Sequence, residues 1–110
     1  MIEVIIVRTK KPETWHSLKK YGVEIGRVCA ELTNTHFRSW LLKGGFVLPE
    51  YRRQGVFSEL WAARLAFVMA HNPRTILGWC WSANRPLFLA DGFVEVERDG
   101  NETLMSKVIK

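Results

Sequence analysis

Arg52-Arg53-Gln54-Gly55 is the stretch of this sequence best suited to chemistry. It stands between an apolar segment, Phe46-Val47-Leu48-Pro49, and a run that opens Val56-Phe57-Ser58. A strand that passes through a short basic loop into a helix leaves the first helical N–H groups without intrahelical partners. Those amides converge on one point, and the helix dipole makes that point positive. Gly55 has no Cβ to block a close anion, and two arginines add charge at the mouth. The arrangement suits a phosphate or pyrophosphate. It is not a Walker loop, because no Gly-Lys-Ser/Thr follows, and it is not a GxGxxG turn. The same residues also read as a plain turn with solvated arginines, and the spacing leaves both readings open.

The elements that would position this loop follow from periodicity. Ile2–Arg8 is rich in β-branched residues with apolar side chains on both parities, which predicts a strand covered on both faces. Pro12-Glu13 and Lys19-Lys20 carry helix start and end signals and Gly22 follows, so a short helix is expected from Pro12 to Lys20. Val23–Leu32 alternates, and His36–Leu48 is a second long strand beyond the turn Thr33-Asn34-Thr35; the two should pair antiparallel. Gly44-Gly45 inside the second strand predicts a bulge or a close backbone approach.

A helix is expected over Val56–Ala70. Ala62, Ala63, Ala66, Ala70 and Glu59 share one arc, and Leu60, Trp61, Leu65, Phe67 and Val68 fill the opposite one with Arg64 and His71. So thin a charged face predicts cover on more than one side, either by the sheet and another element or by a partner chain, as in a homodimer. Asn72-Pro73-Arg74 ends the helix. Thr75–Trp81 reads as a strand and Ser82–Asp91 as a compact helix with Ser82 or Asn84 near its cap and Pro86 in its first turn. Phe93–Arg98 and Thr103–Ile109 read as a hairpin through Asp99-Gly100-Asn101. The order β-α-β-β-α-β-α-β-β predicts one α/β (α+β) domain over residues 1–110, a mixed, mostly antiparallel central sheet with helices on both faces. The crossover through the glycine loop should be parallel and right-handed.

Val47–Leu60 resembles the acetyl-CoA-binding motif of the GCN5-related N-acetyltransferases, the GNAT family. There a strand ending Val-x-Pro leads into Arg/Gln-x-x-Gly-x-Gly/Ala and then a helix; Arg52 matches the first position of the loop and Gly55 the fourth. Ala83–Phe93 resembles the family's Asn…Gly-Phe segment, with Asn84, Gly92 and Phe93 matching, and the element order fits from Val23 to Lys110. The resemblance implies the acyl-CoA N-acyltransferase fold. It implies transfer of acetyl from acetyl-CoA, a donor substrate, to an amine on a small molecule or protein, by direct attack and with no metal.

By the same match, the backbone of Arg52, Arg53, Gln54, Gly55, Val56, Phe57 and Ser58 would cradle the pyrophosphate. Pantetheine would lie between the strand ending at Val47-Leu48 and the strand Thr75–Trp81. An amide near Val47 or Leu48 would polarise the thioester carbonyl, and Asn84 would hydrogen-bond the amide arm. Four features depart from the pattern. Phe57 replaces a small residue. Phe88 stands where a tyrosine acid is usual and cannot protonate a thiolate. The Asn84-to-Gly92 spacing is short. The segment between the first two strands has room for one short helix where members commonly have two, which form part of the acceptor site. Phe88 and the small size also fit an alternative, a catalytically silent relative that binds CoA or a protein partner.

Side chains able to move the proton are scattered. His36 opens a strand, and Glu31 and Glu24 sit on opposite faces of its neighbour; each is a candidate base, and each equally suits an exposed surface. Glu50 follows the cofactor strand and reads as solvated. Cys80 flanks the expected thioester and could form an acyl-cysteine, although a buried structural thiol is the commoner use. Ser82 could orient a leaving thiol. Tyr21 and Tyr51 do not match the acid position. Trp79 and Trp81 share a face and, with Trp40, would line the core or form an aromatic wall by the acceptor pocket. Trp15 and Trp61 read as packing or interface residues.

Composition narrows the partners. The 110 residues carry 16 basic and 11 acidic side chains, a net charge of +5, which favours anionic ligands. There is no zinc spacing, RNP-like motif or basic helix face, so nucleic acid is not expected. The longest apolar helical stretch, near Leu60–Ala70, is interrupted by Arg64 and falls short of the roughly 20 residues that span a bilayer. No basic region precedes the first apolar run, and two widely separated cysteines suit a reducing compartment, so a cytoplasmic protein without membrane partners is expected.

Overall fold

The structure, a computed structural model, describes residues 3–109. Ile2, at the start of the expected first strand, lies outside them, as does Lys110, where the resemblance ends. Seven strands form one sheet: β1 (Glu3–Lys10), β2 (Glu13–Lys20), β3 (Val23–Asn34), β4 (Ser39–Val47), β5 (Thr75–Trp81), β6 (Val94–Asp99) and β7 (Glu102–Val108), in the order β1-β2-β3-β4-β5-β7-β6. Two α-helices are present, α1 (Val56–Met69) and α2 (Arg85–Ala90), each preceded by a single 3-10 turn, at Pro49–Tyr51 and Ser82–Asn84. All pairings are antiparallel except β4 with β5. The mixed sheet and the parallel crossover through α1 are as expected.

The helix expected over Pro12–Lys20 is instead β2. Thr14, His16 and Leu18 point under α1 and are buried, while Glu13, Trp15 and Ser17 alternate on the other face. The end signals that suggested a helix also suit a strand entered from a tight turn. Thr14, Trp15 and His16 prefer a pleated, half-buried surface. β1 and β2 thus form a hairpin, and no helix separates them. β1 is an edge strand with Val4 and Val7 about half exposed, so it is not covered on both faces.

Both helices lie on the same face of the sheet, in contrast to the two-faced arrangement expected. Trp61 of α1 stacks edge-on against Phe88 of α2 at 4.5 Å and donates its Nε1–H to Asp91 Oδ2 at 2.5 Å. Phe88 in turn packs on Gly78 of β5. The alanine arc of α1 faces outward, with Ala62, Ala66 and Ala70 exposed, and Leu60, Trp61, Arg64 and Val68 face the sheet. The bulge expected at the paired glycines is present: the register of β3 with β4 slips between Val28 and Cys29, and Gly44 has φ +63°.

Candidate active site

β4 and β5 pair only from Ser39–Thr75 to Leu42–Gly78. Beyond that point β4 bends at the Gly44 bulge, and the two parallel strands part. The gap is a cavity of about 350 Å³ that passes through the sheet. On the helix side its wall is Leu42, Gly45, Phe57, Arg64, Asn84 and Phe88; on the open side it is Lys43, Trp79, Trp81 and Glu102. A second hollow of about 140 Å³ lies where β4 ends, lined by Val47, Tyr51, Arg52, Arg53, Gly55 and the first turn of α1. Phe57 lines both.

The second hollow has the features of an anion cradle. Gly55 precedes α1 with φ +81°, and a Cβ there would meet nothing within 4 Å, so the space above it is open. The first intrahelical bond runs from Glu59 N–H to Gly55 C=O at 3.0 Å. The amides of Val56, Phe57 and Ser58 precede it and have no intrahelical acceptor. Arg52 Nε–H donates to Val47 C=O at 3.1 Å, which fixes the loop to the end of β4. Gln54 is turned back, its Nε2 donating to Glu50 C=O at 2.9 Å. Arg53, with φ +63°, lies in the exposed tip beside the hollow.

Leu48 does not offer the free amide that the resemblance assigned to it, because its N–H donates to Ile25 C=O of β3 at 2.8 Å. Successive amides along a strand point to opposite sides, so Val47 turns its N–H away from β3, on the side where its C=O meets Arg52, in the wall of the second hollow.

Among the candidate proton-transfer residues, Glu31 is tied to the cleft through Lys43, which stands in its wall. Its carboxylate binds Lys43 Nζ, which also contacts Glu13 Oε2 at 2.6 Å. His36 stacks on Phe37 in the β3–β4 turn, roughly 25 Å from the cradle end of β4 at about 3.3 Å per strand residue. Glu24 pairs with Arg27 at 3.6 Å on the surface. Ser82 faces a separate hollow beside Arg85, Arg98 and Thr103. Cys80 is buried under the helices and is not part of the cavity wall. Burial raises the pKa of its thiol, and it raises that of Cys29 to about 11. A raised pKa disfavours the thiolate that an acyl-cysteine would need.

Trp79 and Trp81 do form an aromatic wall, 39% and 57% exposed on the open side. Trp40 is on the opposite face, against Phe67 and His71, and plays no part in that wall. Lys43, Arg64 and Glu102 also reach the cavity, and none stood out as a site residue in the sequence. Glu102 is brought there by its register opposite Trp81, which depends on the hairpin turn. Arg64 did carry a signal, as the one arginine among the apolar residues of its helix arc.

No protein-family model matches the sequence, and no curated protein sequence matches it. Solved structures do. The ribosomal-protein-S18-alanine N-acetyltransferase of Escherichia coli superposes with a TM-score of 0.76 at 16% identity, covering 92% of this chain and 72% of that one. The PaiA N-acetyltransferase of Thermoplasma acidophilum, solved in complex with coenzyme A, gives 0.73 at 14%, covering 89% and 62%. The spermidine/spermine N-acetyltransferase of Vibrio cholerae gives 0.69 at 19%, covering 89% and 68%. Among the described residues no helix is long and apolar enough to cross a membrane. The chain has the acyl-CoA N-acyltransferase fold of the GCN5-related N-acetyltransferases, with a direct hairpin between its first two strands.

Proposed function

We propose that this chain is an acyl-CoA-dependent N-acyltransferase. The observation that carries the reading is an open glycine cradle at the head of α1 beside a cleft between two parting parallel strands, with Phe57 in the wall of both. The amides of Val56–Ser58, with Arg52 and Arg53 beside them, would bind the pyrophosphate. Pantetheine would pass Phe57 and enter the gap, with Asn84 within its wall to meet the amide arm.

The amine would approach from the open side, past Trp79 and Trp81. Its nitrogen attacks the thioester carbon, the C–S bond breaks, and the thiolate leaves. Glu102 is the carboxylate on that side best placed to take the ammonium proton, directly or through water. Phe88 has no proton to return to the thiolate, so water would supply it.

That same Phe88 favours a second reading, a CoA-binding protein without catalysis. Thermal shift with millimolar acetyl-CoA tests what the two readings share. A rise in Tm is expected by mass action, and Gly55→Val should abolish it; no shift in the unmodified protein would sink both. Release of free thiol with a panel of amines then separates an enzyme from a silent binder.

A further inference from the structure

Arg64 is a charged side chain in a place where charge is expensive. It is 3% exposed and forms part of the helix-side wall of the cleft. Its Nη1 donates to Cys29 C=O at 3.1 Å and to Lys43 C=O at 3.5 Å, the carbonyls beside the β4 bulge. Its Nε has no partner. Among the described residues it forms no ion pair with a carboxylate, and the two acids nearest the bulge, Glu13 and Glu31, are both held by Lys43. The Trp61 ring at 5.3 Å offsets part of the charge. Two backbone carbonyls could be satisfied by a neutral donor. A buried guanidinium with an idle N–H is normally matched by an anion.

We propose that Arg64 binds a carboxylate at the closed end of the cleft, and that the donor is an ω-carboxyacyl thioester of the succinyl or malonyl kind. The inference rests on the reading of the cleft as an acyl-CoA site. Three features place the carboxylate on the donor. Arg64 stands on the helix side, where the cradle also lies. It is seven residues after Phe57 on the same face of α1, about 10 Å further along the axis, the direction in which the pantetheine arm would run. The two strands close at Leu42 and Gly78, just beyond it, so an acyl chain entering from the cradle would end at the guanidinium. A guanidinium takes a carboxylate through paired N–H donors, a geometry that a plain acetyl group cannot use.

The test compares the affinities of CoA, acetyl-CoA, butyryl-CoA and succinyl-CoA for the unmodified protein, Arg64→Met and Arg64→Lys by calorimetry. It is read as the succinyl-to-butyryl ratio within each protein, so that a variant weaker for every thioester remains informative. Succinyl-CoA should bind about tenfold or more tightly than butyryl-CoA to the unmodified protein. The preference should vanish in Arg64→Met and survive in part in Arg64→Lys. Should Arg64→Met not fold, the ratio in the unmodified protein and in Arg64→Lys decides. Equal binding of the two thioesters overturns the inference and leaves the acyl-CoA reading standing, and so does a preference that persists in Arg64→Met. A further arm adds amino-acid amines to the acetyl-CoA complex. An Arg64-dependent shift there, without a succinyl preference, would assign the carboxylate to the acceptor and overturn the donor assignment. Failure of all four thioesters to bind removes the acyl-CoA reading itself, and this inference with it.

Discussion

The ring of Phe57 lies so close to Gly45 that a Cβ built on the glycine would stand 3.1 Å from the ring's Cε2. Phe57 stands between the two hollows of the site, in the wall of both. The contact with Gly45 accounts for an aromatic residue where the family motif has a small one. The ring rests on β4, where Gly45 leaves room for it, and the space above Gly55 at the head of the helix remains open.

The contact predicts a selective effect. Gly45→Ala should push the Phe57 ring toward the passage, at a stability cost of about 1 kcal/mol, the low end for overpacking. On the proposed reading acetyl-CoA would use the passage, and it should bind several-fold more weakly. Adenosine diphosphate, which needs only the cradle, should bind as before. Calorimetry with both ligands checks this, and an equal loss for the two would show that the ring does not border the path.

Gly55 separates stability from binding in another way. Its φ of +81° disfavours most side chains, yet no neighbour would touch a Cβ there. Gly55→Ala should therefore cost about 1–2 kcal/mol from backbone conformation alone, whereas asparagine tolerates the left-handed region. Gly55→Asn should recover much of that loss in a denaturant melt and still fail to show an acetyl-CoA thermal shift, because its side chain fills the cradle. An Asn variant that binds normally would place the pyrophosphate elsewhere.

Phe88 and Gly78 fix the floor of the cleft. A Cβ at Gly78 would lie 2.7 Å from Phe88 Cε2 and 3.3 Å from Leu42 Cβ, so Gly78→Ala should destabilise the fold by about 1–3 kcal/mol. Phe88→Tyr instead adds an acid to the cleft wall. Its expected effect is a faster thiol release with KM little changed, since the hydroxyl would act on the leaving thiolate and not on binding. An unchanged kcat would show that water already does this work.

How far the sequence could be read depended on the range of the forces involved. The strand–loop–helix around Gly55, the bulge at Gly44 and the Asp99-Gly100 hairpin are local, and each has its own turn chemistry; all three were legible. β2 was not, because the end signals of a short helix and of a hairpin strand coincide. Its burial alternation shows only once α1 lies over His16 and Leu18. Trp79 and Trp81 could be given a common face but not a side of the sheet. Glu102 and Lys43 reach the cleft through pairing registers with β5 and β3, which no single segment encodes. Leu48 failed as an amide donor for the same reason: its N–H is taken by Ile25, more than twenty residues earlier.

His16 carries the last prediction. It is 2% exposed on β2, its ring edge-on to Phe67 at 5.4 Å, and its Nδ1 has no partner. Burial lowers its pKa, and the positive charge of Arg64 lowers it further. The unfolded chain therefore takes up the proton at a higher pH, near 6.5, than the folded one does. The stability that a neutral His16 contributes is fully present above about pH 6.5 and is lost as the pH falls through the depressed folded value. Tm should fall with acidification below that point. His16→Leu removes the titrating group without stranding a hydrogen-bond partner of Nδ1, so its Tm should fall less between pH 6.5 and 5. His36 and His71 remain in both proteins, and the difference between the two pH profiles isolates His16. Parallel profiles would mean that the folded protein admits a proton at this site without penalty.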